Sequence, residues 1–133
     1  MKYRPFGQTG LDLSAIGFGC WELSGSYGHI DERDVVQAIH KAHDLGINCF
    51  DTAQGYGFGK SEQLLARGLG GRRKEIILVT KWGIGYNDSI TGKGRDSRAE
   101  RCKLSIETSL KHLDTDYIDV YLVHWPGSSQ IPS

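Results

Sequence analysis

The segment INCFDTAQGYGFGKSEQLLARGLGGRRKEIILVTK, Ile47 to Lys81, reads as strand, helix, strand. Ile47 to Ala53 has the length and apolar character of one strand. A helix opens after Ser61, carries Leu64, Leu65 and Leu69, and is stopped by Gly70-Gly71. Glu75 to Lys81 contains Ile76-Ile77-Leu78-Val79, a nearly continuous apolar run of the kind found in strands covered on both faces. The alternation extends outward in both directions. Upstream, Asp31 caps a helix reaching Leu45 whose stripe is Val35, Ile39, Ala42 and Leu45, with Gly46 as a left-handed exit and a strand from Ala15 to Gly19 before it. Downstream, Ser97-Arg98-Ala99-Glu100 has the form of a capping box. It precedes the stripe Ala99, Cys102, Ile106, Leu110 and Leu113, and then a fourth strand from Tyr117 to His124.

Three strand–helix–strand units predict an α/β fold with a parallel sheet and right-handed crossovers. A hairpin precedes them, Tyr3 to Phe6 and Leu11 to Ile16, turned by Gly7-Gln8-Thr9-Gly10. The connection from Gly83 to Asp96 exceeds the usual loop length, a common mark of functional loops. Four parallel strands leave two open sheet edges that something must cover.

Composition narrows the function classes. The chain has 133 residues, enough for one domain, and its 16 basic residues balance 16 acidic ones. That balance removes the electrostatic basis for nucleic acid or an anionic membrane as the main partner. No apolar run approaches the ~20 residues of a membrane helix, and Met1-Lys2-Tyr3-Arg4 has no signal-peptide core behind it. Three cysteines without CxxC or histidine-rich spacing argue against a disulfide scaffold or metal site and for a cytoplasmic protein. Cys49 and Cys102 read as core residues, and Cys20 as a packing residue with a reactive thiol as the alternative.

In parallel α/β folds, sites gather at the carboxyl ends of strands. Those ends carry Gly19-Cys20-Trp21, Asp51 with Tyr56 five residues on, Lys81, and His124. A lysine cation beside a tyrosine favours its phenolate, and an aspartate would hold that lysine charged and in place. A neighbouring histidine can hydrogen-bond a substrate oxygen. Such a set suits protonation of a carbonyl oxygen while hydride arrives from elsewhere. Gly55 to Ser61 also approaches a phosphate-binding loop, but Gln54 stands where that pattern needs its first glycine. A basic cluster, Lys93, Arg95, Arg98, Arg101 and Lys103, reads as solvated charge or as a phosphate cradle near the third helix.

Phe50-Asp51-Thr52-Ala53-Gln54-Gly55-Tyr56-Gly57, with Gly59-Lys60-Ser61-Glu62 after it, resembles the signature of the aldo-keto reductases. So do Ser109-Leu110-Lys111-His112-Leu113 and Asp116 to Pro126, and so does the opening Gly7-Gln8-Thr9-Gly10-Leu11 with Ile16-Gly17-Phe18-Gly19. The resemblance runs from about Tyr3 to Pro126. It implies the first half of a (β/α)8 TIM barrel over residues 1–126, followed by a short Gly/Ser-rich tail at 127–133; the open edges of such a half suggest two copies completing the barrel as a homodimer. It implies an NADPH-dependent reductase of aldehydes and ketones, NADH being the alternative cofactor. Tyr56 would be the general acid, tuned by Lys81 and Asp51, with His124 orienting the carbonyl. Gly19, Cys20, Trp21 and Asp51 fall where the family contacts cofactor, with Cys20 standing where threonine is common, and Trp21 and Trp125 would wall the substrate pocket. The alternative is a catalytically inactive relative that binds only a nucleotide or a partner chain.

Overall fold

The hairpin forms as its glycines dictate: β1 (Tyr3–Pro5) pairs antiparallel with β2 (Asp12–Ser14), and Gly7 and Gly10 take the positive φ angles of the turn. The computed structural model describes residues 1–84 and 95–125. After the hairpin come β3 (Phe18–Gly19), α1 (Glu32–Asp44), β4 (Cys49–Asp51), α2 (Lys60–Leu69), β5 (Ile77–Trp82), α3 (Ala99–His112) and β6 (Val120–Val123). The four later strands form one parallel sheet in the order β3-β4-β5-β6, with a helix between each consecutive pair. This is half of a (β/α)8 barrel. Its β3 and β6 edges have no further strand among the described residues.

The core lies between the sheet and its helices. Phe50 and Leu78 point outward from the central strands into Ile39, Leu64, Leu65, Leu69 and Leu113. Gly68 lets α1 and α2 approach closely, since a Cβ there would stand 2.3 Å from Ile39 Cδ1. The hairpin closes the amino end of the sheet: Ser14 N–H donates to Asn48 Oδ1 at 2.7 Å and Asn48 Nδ2 to the Asp12 carbonyl at 2.9 Å.

Asp31 caps α1 as expected, accepting from Arg33 N–H at 2.8 Å, and Gly46 follows with φ +84°. Other details differ from the sequence reading. Leu45 is exposed rather than part of the buried stripe. The strand expected from Ala15 begins at Phe18, because Ala15 N–H bonds the Lys2 carbonyl and extends the hairpin instead. The capping box is out of register: Arg98 holds the N-cap position of α3, and the Asp96 carboxylate accepts from Arg98 N–H. The stripe of α3 is displaced as well, with Ser105 and Ser109 most buried, Cys102, Ile106 and Leu110 half-buried and Ala99 exposed. Cys49 is likewise half-buried and stands outside the core cluster. The tail at 127–133, Pro126, Lys93 and most of the long connection lie outside the described residues.

Candidate active site

Parallel pairing fixes which strand residues share a face. Gly19 stands opposite Asp51, Asp51 opposite Val79, and Lys81 opposite Leu122. Asp51 and Lys81 therefore project from the same side of neighbouring strands, at their carboxyl ends. The Lys81 ammonium has three N–H donors, and the geometry gives each one a target. Nζ forms a close ion pair with Asp51 Oδ1, donates to the Thr52 carbonyl at 2.9 Å, and reaches Tyr56 OH at 3.4 Å.

Tyr56 lies in the loop between β4 and α2, where its ring is held on two sides. The Trp21 indole meets it edge-on with centroids 4.8 Å apart, and the His124 imidazole does the same at 5.5 Å. His124 follows β6 directly, and its backbone N–H donates to the Trp82 carbonyl. Burial, and then the Lys81 ammonium, push its imidazole below the usual histidine range, so it is neutral at pH 7. His124 Nδ1 is buried with no hydrogen-bond partner among the described residues. Aspartate, tyrosine, lysine and histidine from four separate segments thus converge on one end of the sheet. A neutral imidazole and a cation-backed phenol, side by side, can together receive a carbonyl oxygen.

Gly19 leaves open space beside Asp51, with nothing within 4 Å of where a Cβ would stand. Trp21 is 45% exposed, so its indole both touches Tyr56 and faces solvent. Cys20 departs from the reading that placed it against the cofactor. Its side chain is fully buried in the core cluster, where burial drives the thiol far above its ordinary range. It offers a ligand no surface. Trp125 is half-exposed beneath the Arg95 guanidinium, which lies 4.4 Å above its ring.

Two members of the basic cluster are engaged within the chain, while Lys93 lies outside the described residues. Arg98 is engaged by Asp96, whose carboxyl its hydrogen bonds hold down to about 2, and Arg95 stacks on Trp125. The loop ahead of α2 is no phosphate site. Ser61, the hydroxyl such a loop would offer a metal ion, is fully buried and donates to the Cys20 carbonyl at 2.7 Å.

That serine belongs to a set of buried polar residues to which the sequence reading gave no role. Ser61 Oγ also bonds Thr52 Oγ1 at 2.9 Å, and the next residue, Glu62, accepts from Thr80 Oγ1 at 2.8 Å. The other Glu62 oxygen lies 3.0 Å from His112 Nδ1. A signal was present: Ser61, Leu65 and Leu69 fall on one helical stripe, so Ser61 had to face the core.

Comparison with known proteins bears on the family and the fold. The model of the aldo/keto reductase family matches residues 15–130. An aldo-keto reductase of Bacillus subtilis is 39% identical over 129 residues, covering 95% of this chain and 38% of its own length. The NADH-specific methylglyoxal reductase of Escherichia coli is 35% identical over 137 residues, covering 94% of this chain and 42% of its own length. Among solved structures, the holo form of an aldo-keto reductase from Bacillus halodurans superposes with a TM-score of 0.81 at 38% identity, over 92% of this chain and 40% of that one. An aldo-keto reductase from Klebsiella pneumoniae in complex with NADPH gives 0.69 at 30% identity, over 88% and 37%. The chain thus spans about two fifths of the length of the relatives it matches.

Proposed function

The chain belongs to the aldo/keto reductase family, and on that premise we propose that it carries the proton-handling half of an oxidoreductase that reduces small aldehydes or ketones to alcohols. The observation that carries this reading is the Lys81 ammonium, paired with Asp51 and reaching the Tyr56 hydroxyl, with His124 against the same ring. Tyr56 gives its hydroxyl proton to the carbonyl oxygen as the carbonyl carbon becomes tetrahedral. Lys81 stabilises the phenolate left behind, and Asp51 keeps the ammonium charged and in position. The neutral His124 imidazole, with its proton on the nitrogen facing the site, donates to the same oxygen and orients it.

The proposed cofactor is NADPH, with NADH as the alternative; when bound it supplies the hydride to the carbonyl carbon. The residues present fit its nicotinamide end. Gly19 leaves open space for a flat ring, Asp51 borders that space, and the exposed edge of Trp21 stands beside Tyr56. One relative has been crystallised with NADPH and another is named for NADH, so support for the family cofactor is firmer than for either form. Trp21 and Trp125 are the proposed walls of the carbonyl pocket.

Residues 1–126 are proposed as one half-barrel unit and 127–133 as its tail, in a cytoplasmic protein. Among the described residues no helix is long and apolar enough to cross a membrane. A second copy of the chain is the proposed cover for the open edges, where Ile16, Leu122 and Val123 are exposed. A twofold axis along the barrel would pair β3 of one copy in parallel with β6 of its partner. A monomer with a native spectrum at micromolar concentration overturns that arrangement.

The test of function is loss of reduced-nicotinamide absorbance over a panel of small aldehydes, with the parent chain and Tyr56→Phe side by side. Turnover that disappears in the variant supports the reading. A folded parent chain without turnover leaves the inactive, binding-only relative as the better account.

A further inference from the structure

Glu62 is a fully buried carboxylate that the proposed chemistry does not use. Burying a charge is costly unless it is paired and hydrogen-bonded, and Glu62 is held on both oxygens. Thr80 donates to Oε1 at 2.8 Å, and His112 Nδ1 lies 3.0 Å from Oε2. Thr80, itself fully buried, is the residue immediately before Lys81 on β5. Because strand side chains alternate, Thr80 points back toward the helices while Lys81 points into the site.

The adjacent Ser61 does the same for the neighbouring strands. Its single proton goes to the Cys20 carbonyl, so the Thr52 hydroxyl must donate to Ser61 Oγ. The Thr52 carbonyl in turn accepts from Lys81 Nζ. The first turn of α2 therefore grips the ends of β3, β4 and β5 from behind, and His112 of α3 braces it. We propose that Glu62 is a positioning residue for the active site: with His112 behind it, it locks Thr80 and so fixes where β5 delivers the Lys81 ammonium to Asp51 and Tyr56.

This inference rests on the reading of Lys81 and Tyr56 as catalytic, but its test is independent of turnover. The readout is the ammonium resonance of Lys81 in the 15N-lysine-labelled chain, identified by its loss in Lys81→Met. An ammonium engaged by three acceptors exchanges its protons slowly enough to be seen at low temperature and mildly acidic pH. Thr80→Val keeps the shape of the side chain and removes the donor. It should broaden or shift the Lys81 signal while the amide spectrum away from the site stays in place. Thr80→Ser, which keeps the hydroxyl, should leave the signal as in the parent. Glu62→Gln, which keeps an acceptor for Thr80 but loses the charge facing His112, should fall between them. If Thr80→Val does not fold, His112→Gln tests the same brace from its half-buried side. An unchanged Lys81 signal in folded Thr80→Val or His112→Gln overturns the proposal. So does equal behaviour of the Ser and Val variants, or a parent chain with no protected Lys81 signal.

Discussion

Gly68→Ala tests whether the glycine is there to let α1 and α2 approach closely behind the sheet. Two effects of opposite sign compete. In a helix interior, alanine is favoured over glycine by about 1 kcal/mol. The new methyl, however, would stand 2.3 Å from Ile39 Cδ1 and 3.3 Å from both Ile39 Cβ and Cγ1. Carbon atoms settle at roughly 3.5–4.0 Å, so the first contact is a severe overlap and the other two are only tight. Ile39 is fully buried and β-branched, which leaves it little freedom to turn away. Overpacking of this kind costs about 1–3 kcal/mol, so the net expectation is destabilisation by about 1 kcal/mol. Ile39→Val deletes the offending Cδ1 at its own cost of about 0.5–1.5 kcal/mol. In that background Gly68→Ala should become neutral or stabilising by up to about 1 kcal/mol, because only the tight contacts remain. Urea unfolding of the four proteins measures the cycle, with a coupling of about 1–2 kcal/mol expected. If alanine stabilises both backgrounds equally, the glycine is not there to let the helices approach, and the reasoning fails.

Two further expectations follow from other parts of the molecule. Asp119 Oδ2 accepts from both the Leu78 N–H and the Arg73 guanidinium at 2.9 Å, completing β5 where β6 has not yet begun. Asp119→Ala should therefore destabilise by about 2–4 kcal/mol in urea unfolding, through an unpaired, largely buried guanidinium and an orphaned amide. Asp119→Asn, which keeps an acceptor, should lose less, and an alanine variant within about 0.5 kcal/mol of the parent would refute the role. For His124, the folded-state titration lies below that of the unfolded chain, because burial and Lys81 disfavour the imidazolium. The unfolded chain thus binds the proton first as pH falls, and stability present above about 6.5 declines from there toward the folded midpoint. His124→Gln should flatten that decline relative to the parent, and an NMR midpoint for His124 at or above 6.5 would contradict it.

The sequence disclosed the parallel sheet because its signals are local. Ile76 to Val79 reads as a covered strand from four residues, and Asp31 announces α1 by its side chain alone. The convergence of Asp51, Tyr56, Lys81 and His124 followed from one rule about strand ends, and the structure brings all four together. Misread details were those decided by competition between distant segments. Ala15 could join either the hairpin or β3, and only the Lys2 carbonyl settles it. Ser97 has the chemistry of a cap, yet Asp96 reaches Arg98 N–H first. Cys20 shares a strand end with Gly19 and Trp21, but alternation turns its side chain into the core. The buried set of Ser61, Glu62 and Thr80, with the half-buried His112 against it, was least legible, because each residue has an ordinary surface reading until the others are placed beside it.

The groups proposed to handle the proton are held by the strands, the loops that follow them and the first turn of α2. Lys81 is fixed by Asp51 and Thr52 of β4 and its extension, Tyr56 by Trp21 and His124, and the strand ends by the first turn of α2. Every one of these contacts is made within the half barrel. In the proposed reading the nicotinamide end of a cofactor would meet Gly19 and Asp51 of the same unit. On that reading, acid catalysis and cofactor capture are separate demands on this fold. A variant that disturbs β5, such as Thr80→Val, should act on the first. The proposed cover for the open β3 and β6 edges would act on the second, by closing the barrel.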